Sequence, residues 1–112
     1  MLAELEIEVR KYNTTIDTFT AKAEENEKVI GYLPEECGWT MYDAAMLIDP
    51  YKEDKQLWAG EMPEEALRVR FGAALRNKAR EQRRQAAAAT KQMLKWKRWH
   101  RILESLMSQA NS

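Results

Sequence analysis

PEEALRVRFGAALRNKAREQRRQAAAATKQMLKWKRWHRILESLM, running from Pro63 to Met107, decides how the rest of the chain is read. Nothing in it stops a helix. Its proline stands at the first position, where the missing N–H is no loss, acidic Glu64 and Glu65 follow in the first turn, and its one glycine is Gly72. Alanine, arginine, glutamine and lysine, all good helix formers, fill the remainder. The expectation is a single helix from Pro63 to about Met107, within a basic C-terminal segment 63–112. At 1.5 Å per residue it would be roughly 65–70 Å long. That is longer than a domain of 112 residues is wide, so the helix must project, pair with the N-terminal segment or pair with a second copy.

Two faces of this helix differ in chemistry. Leu75, Ala79, Gln82, Ala86, Ala89, Met93, Trp96, His100, Leu103 and Met107 follow one another in steps of three and four. Only Gln82 and His100 among them are polar, and such a seam has the pattern of a coiled-coil or bundle contact. Its candidate partner-contact residues are Leu75, Ala79, Ala86, Ala89, Met93, Trp96, Leu103 and Met107. The seam covers the protein's own core, meets a second copy or meets a foreign helix. Opposite lie Arg76, Arg80, Arg83, Arg84, Lys91, Lys95, Arg98 and Arg101. At 100° per residue these eight fall within an arc of about 120°, and neither Glu81 nor Glu104 lies inside it. Like charges four apart slightly destabilise an isolated helix, so an anion is expected to face them.

Working outward, Leu2, Leu5, Val9, Tyr12, Ile16, Phe19, Ala23, Asn26, Ile30 and Leu33 form a second three-four stripe, predicting an amphipathic helix in the acidic segment 1–33. Two features compete with it. Leu5-Glu6-Ile7-Glu8-Val9 alternates as a strand would, and Thr14-Thr15-Ile16-Asp17-Thr18 is rich in β-branched residues. A break near 13–15, or a β-hairpin over 4–20, is the alternative. Gly31 and Pro34 end this segment. In 34–62, short helices and turns are expected: a turn at Pro34-Glu35-Glu36, a helix from Trp39 to Ile48, a cap at Asp49-Pro50 and a helix from Tyr51 to Trp58 ended by Gly60. Trp39, Tyr42, Met46, Leu47, Leu57 and Trp58 make this connector the expected packed knot. The three segments read together as one all-α unit, a helical hairpin or bundle, with a coiled-coil oligomer as one of its forms.

Composition narrows the chemistry. The chain is 45% hydrophobic and 32% charged, too apolar for disorder. Its single cysteine, Cys37, and single histidine, His100, leave no intramolecular disulfide and no zinc site within one chain. There is no phosphate-binding glycine loop and no nucleophile elbow. The acid pairs Glu35–Glu36 and Glu64–Glu65 stand beside prolines and read as helix starts, and Glu53–Asp54 belongs to no catalytic constellation. No catalytic residue, cofactor or metal is expected. The N-terminus does not resemble a secretory leader and no apolar run approaches the ~20 residues of a membrane span, so the expected location is cytoplasmic.

The formal net charge of zero hides a split. Residues 1–65 hold 16 Asp or Glu against 6 Lys or Arg; residues 66–112 hold 2 Glu against 12 Lys or Arg. The anion facing the basic stripe is therefore the protein's own acidic half or that of another copy, nucleic acid, or an anionic membrane surface. The expected function is that of a non-enzymatic helical interaction protein: a subunit, adaptor or assembly factor working through helix–helix contacts. The alternative is a sequence-independent nucleic-acid-binding accessory protein using the C-terminal helix. Its overall pI near 6.6 is low for that role.

Overall fold

The computed structural model describes residues 2–53 and 60–110, and every regular element among them is helical. Helix α1 is Leu2–Lys28, a 3₁₀ turn follows at Pro34–Cys37, α2 is Met41–Ile48 and α3 is Glu64–Ala110. The fold is an all-α helical hairpin or bundle dominated by α3. The 27 residues of α1 and 47 of α3 alone exceed half of the chain.

Helix α1 runs without a break through Asn13–Thr15, as its apolar stripe predicts, and neither the alternative interruption nor the hairpin over 4–20 occurs. The threonine hydroxyls explain how. Thr14 Oγ1 donates to the Arg10 carbonyl and Thr15 Oγ1 to that of Lys11, each at 3.0 Å. Back-bonding to the preceding turn lets a threonine remain helical with its hydroxyl satisfied. Acidic alternation in 4–8 then leaves Glu4 and Glu6 exposed and Glu8 half-buried, around buried Leu5.

By Cα proximity the chain forms two compact units, and both long helices contribute to each. The first unit is 1–22 with 82–112. In it Leu5, Ala86, Ala89 and Met93 are buried, and Leu2, Val9, Tyr12, Ile16 and Phe19 are half-buried. Small alanines at the centre of the α3 seam suit close helix approach, while long side chains fill its end. Ten Lys or Arg against five Asp or Glu make this unit basic.

The second unit is 23–81. Its core is Ala44, Phe71 and Leu75, packed against Val29, Ile30, Cys37, Trp39, Leu47 and Ile48. Trp39 meets Phe71 edge to face at 5.2 Å, the geometry aromatic quadrupoles favour. Local chemistry sets the connector. Gly31 and Gly38 adopt φ of +98° and +82°, which side chains other than hydrogen resist. Pro34 opens the 3₁₀ turn and the Glu36 carboxylate accepts the Leu33 N–H at 3.0 Å. Thr40 caps α2, its Oγ1 accepting the Asp43 N–H at 3.0 Å. Asp49 ends α2 and turns the chain, with Oδ1 accepting the Tyr51 N–H. Arg68 of α3 donates to the Gly31 carbonyl at 2.6 Å and lies 3.6 Å from Glu36.

The expected knot is redistributed. Trp39 and Leu47 do pack, but Tyr42 and Met46 are exposed, because α2 turns Ala44 and Ala45 inward instead. Leu57 and Trp58, with most of the helix expected over 51–58, lie outside the described residues. The centre of this unit is Phe71, on α3.

Candidate interaction surface

The α3 seam divides along its length. Leu75, Ala79, Gln82, Ala86, Ala89 and Met93 are buried by the chain itself. As partner-contact residues, Leu75, Ala79, Ala86, Ala89 and Met93 are therefore already occupied. Trp96, His100 and Leu103 are half-buried, and Met107 is exposed. Occupancy thus falls off toward the C-terminal end of α3.

Beyond that point apolar side chains accumulate on the surface. Trp99 is 51% exposed, Ile102 42%, Leu106 56% and Met107 50%. At about 25 cal/mol per Å² of apolar surface, covering what remains exposed would contribute on the order of 1 kcal/mol each. The seam as read from the sequence holds Met107 but not Trp99, Ile102 or Leu106. Trp99 and Leu106 lie between the seam and the basic stripe, and Ile102 lies within the stripe's own arc, between Arg98 and Lys95.

Within the basic unit, α1 and α3 enclose an open groove of about 1000 Å³, lined by apolar Leu5, Tyr12, Trp96, Trp99 and Leu103. Glu4 and Glu8 stand on its α1 side, Gln92 and Lys95 on its α3 side. Glu8 also pairs with Lys11 at 3.3 Å. On another side of the same helix pair, Glu6, Val9, Arg10, Lys97, His100 and Arg101 line a smaller groove of about 450 Å³. His100 is clamped there between acids: Nε2 is 3.5 Å from Glu6 and Nδ1 3.7 Å from Glu104. Its Nε2 is buried with no hydrogen bond formed, a packed histidine between two helices.

All eight stripe residues, Arg76, Arg80, Arg83, Arg84, Lys91, Lys95, Arg98 and Arg101, are exposed. Among the described residues, no ion pair neutralises Arg76, Arg80, Arg84, Lys91, Lys95, Arg98 or Arg101. Arg68, about two turns before the stripe, is engaged with Glu36 and Glu65. Among the described residues, no acidic side chain of residues 1–65 is ion-paired to those seven stripe residues.

Cys37 is half-buried, and its Sγ donates weakly to the carbonyls of Leu33 and Pro34. Burial pushes the thiol's pKa above its ordinary value; backbone hydrogen bonds at Trp39 and Cys37 act against this, and the Glu36 carboxylate reinforces it. A thiol held protonated is a poor nucleophile and a poor metal ligand. Among the described residues no three His, Cys, Asp or Glu side chains gather to hold a metal ion, and no helix is long and apolar enough to cross a membrane. No protein-family model, curated protein or solved structure matches the chain.

Proposed function

We propose that this protein is a non-enzymatic helical interaction module, a subunit, adaptor or assembly factor, whose working surface is the C-terminal part of α3. One observation carries the reading. Trp99, Ile102, Leu106 and Met107 stand in water beside Lys95, Arg98 and Arg101, on a helix whose inner seam the chain fills as far as Met93 and leaves open at Met107. Aromatic and aliphatic anchors within a charged border are the composition of a protein contact site. A photo-crosslinking amino acid at Leu106 should give protein adducts in cells, whereas one at the exposed Thr18 of α1 should not. Absence of adducts from Leu106, and from Arg84 on the stripe, would remove the proposal.

A second reading draws on the exposed stripe itself. Eight cations on one face, seven of them without an ion pair among the described residues, suit sequence-independent contact with phosphates. Binding to a random duplex should then weaken with salt along a steep log–log slope, and Arg80→Gln with Arg84→Gln should flatten that slope. A duplex bound no better than by the double variant leaves only the first reading.

A further inference from the structure

The geometry points to a second copy of this chain as the occupant of the groove between α1 and α3, through a two-fold axis that runs along the helices and lays α1 of each copy on α3 of the other. This rests on the interaction-module reading and names its partner. The groove is lined by Leu5, Tyr12, Trp96, Trp99 and Leu103, and it is open along two helices, the shape that receives another helix pair. Its charges choose the occupant. Glu4 and Glu8 occupy the α1 side; Lys95 occupies the α3 side, with Lys91 and Arg98 beside it on the exposed stripe. An anionic bilayer or a nucleic-acid duplex would meet the two carboxylates unfavourably. A partner that presents an acidic strip and a basic strip at this spacing meets neither problem, and this surface is itself such a partner.

Symmetry then fixes the arrangement. A two-fold axis across the helices would set Glu4 and Glu8 against their own copies and Lys95 against Lys95. The axis along the helices keeps every residue at its own height. Because Glu6 lies level with His100, Glu8 of one copy then stands level with Arg98 of the other, with Lys95 one turn along and Glu4 one turn to the other side, and the pairing repeats on the opposite side. Both contacts are complementary and the assembly closes at two. Trp99 and Leu103 of the two copies meet near the axis, covering side chains that a single copy leaves in contact with water.

The test is a charge swap on the full chain, read by sedimentation equilibrium at tens of micromolar. The native protein should have the mass of a dimer. Glu4→Lys with Glu8→Lys should lose at least tenfold in self-affinity, and so should Lys95→Glu with Arg98→Glu, because each places like charges on both contacts. Mixed together, the two variants should form a heterodimer, since each then meets its complement twice. Circular dichroism of each variant alone, equal to native, verifies that the helices are intact. A native protein that remains a monomer overturns the second-copy assignment; Leu106 adducts with foreign proteins would then leave the interaction-module reading standing. A native dimer that neither variant weakens, or variants that fail to rescue one another, overturns the groove as its interface. Binding to anionic vesicles with no dimer in solution overturns it in favour of lipid.

Discussion

Gly72 lies buried in α3, with a Cβ built there 3.7 Å from Ile30 Cγ2 and 3.9 Å from the Gly31 nitrogen. These are ordinary contact distances, and the position is regular helix. Gly72→Ala should therefore raise stability by about 0.5–1 kcal/mol through reduced unfolded-state entropy, read as a higher urea midpoint. Gly72→Leu should lower it, because a branched side chain has no space against Ile30. Cys37 offers a test of opposite kind. Its pKa is raised by burial, so the folded protein holds the thiol proton more tightly than the unfolded chain does. That contribution to stability is fully present below the unfolded value of about 8.5 and is lost as pH rises through the folded value. At neutral pH iodoacetamide should modify Cys37 far more slowly in the native protein than in denaturant; equal rates would show an exposed thiol. Residue by residue, the sequence shows less than it contains. Phe71 is four before Leu75 on the same stripe, so extending the seam by one turn reaches the largest fully buried side chain among the described residues. Arg68 and Gly72 on the adjoining turn hide that extension, because neither reads as apolar packing.

Both long helices were legible as elements because their apolar residues repeat at three and four over many turns, a pattern no strand reproduces. Local chemistry competes with that period in two places. Four β-branched residues in 14–18 suggest a break in α1, but two hydroxyls bond back to Arg10 and Lys11 and the helix continues. In α2 the bulky residues suggested the inner face, whereas its two alanines are the buried ones. Eight residues are too few for a period to outweigh size. These helices should therefore answer differently to the loss of threonine. Thr14→Ala lies on an exposed helix interior and should stabilise by up to about 0.5 kcal/mol, since alanine has the higher propensity. Thr40→Ala removes the Asp43 N–H acceptor at the start of α2 and should cost about 0.5–2 kcal/mol. Paired urea melts measure both, and a Thr40→Ala midpoint no lower than native would show that the cap is not a determinant of α2. The open end of the α3 seam was not legible in the same way. Periodicity marks which side chains share a face, but not where the covering helix stops.

At the scale of the molecule, charge is partitioned more evenly than the chain halves suggest. The unit 1–22 with 82–112 has ten Lys or Arg against five Asp or Glu, and the unit 23–81 has eight against thirteen. Acidic α1 residues 4–8 belong to the basic unit, while Arg76 and Arg80 belong to the acidic one. This division bears on how salt acts. If the acidic residues neutralised the stripe within one chain, raising salt would weaken those attractions and destabilise the fold. The stripe is exposed instead, and its spacing-four pairs Arg76–Arg80, Arg80–Arg84 and Lys91–Lys95 repel. Repulsion of about 0.2–0.5 kcal/mol per pair, with the spacing-three pairs Arg80–Arg83, Lys95–Arg98 and Arg98–Arg101 added, amounts to about 1–3 kcal/mol along α3. Raising salt from about 10 mM to about 150 mM shortens the screening length from about 30 Å to about 8 Å and relieves part of it. Dilute, monomeric protein should accordingly unfold at higher urea in the higher salt. Arg80→Gln, which removes two of the three spacing-four pairs at once, should be more stable than native at low salt and nearly equal at high salt. A native protein that loses stability with salt, and an Arg80→Gln that is weaker than native at low salt, would mean that acidic groups do cover the stripe, and its anion should then be sought within the chain.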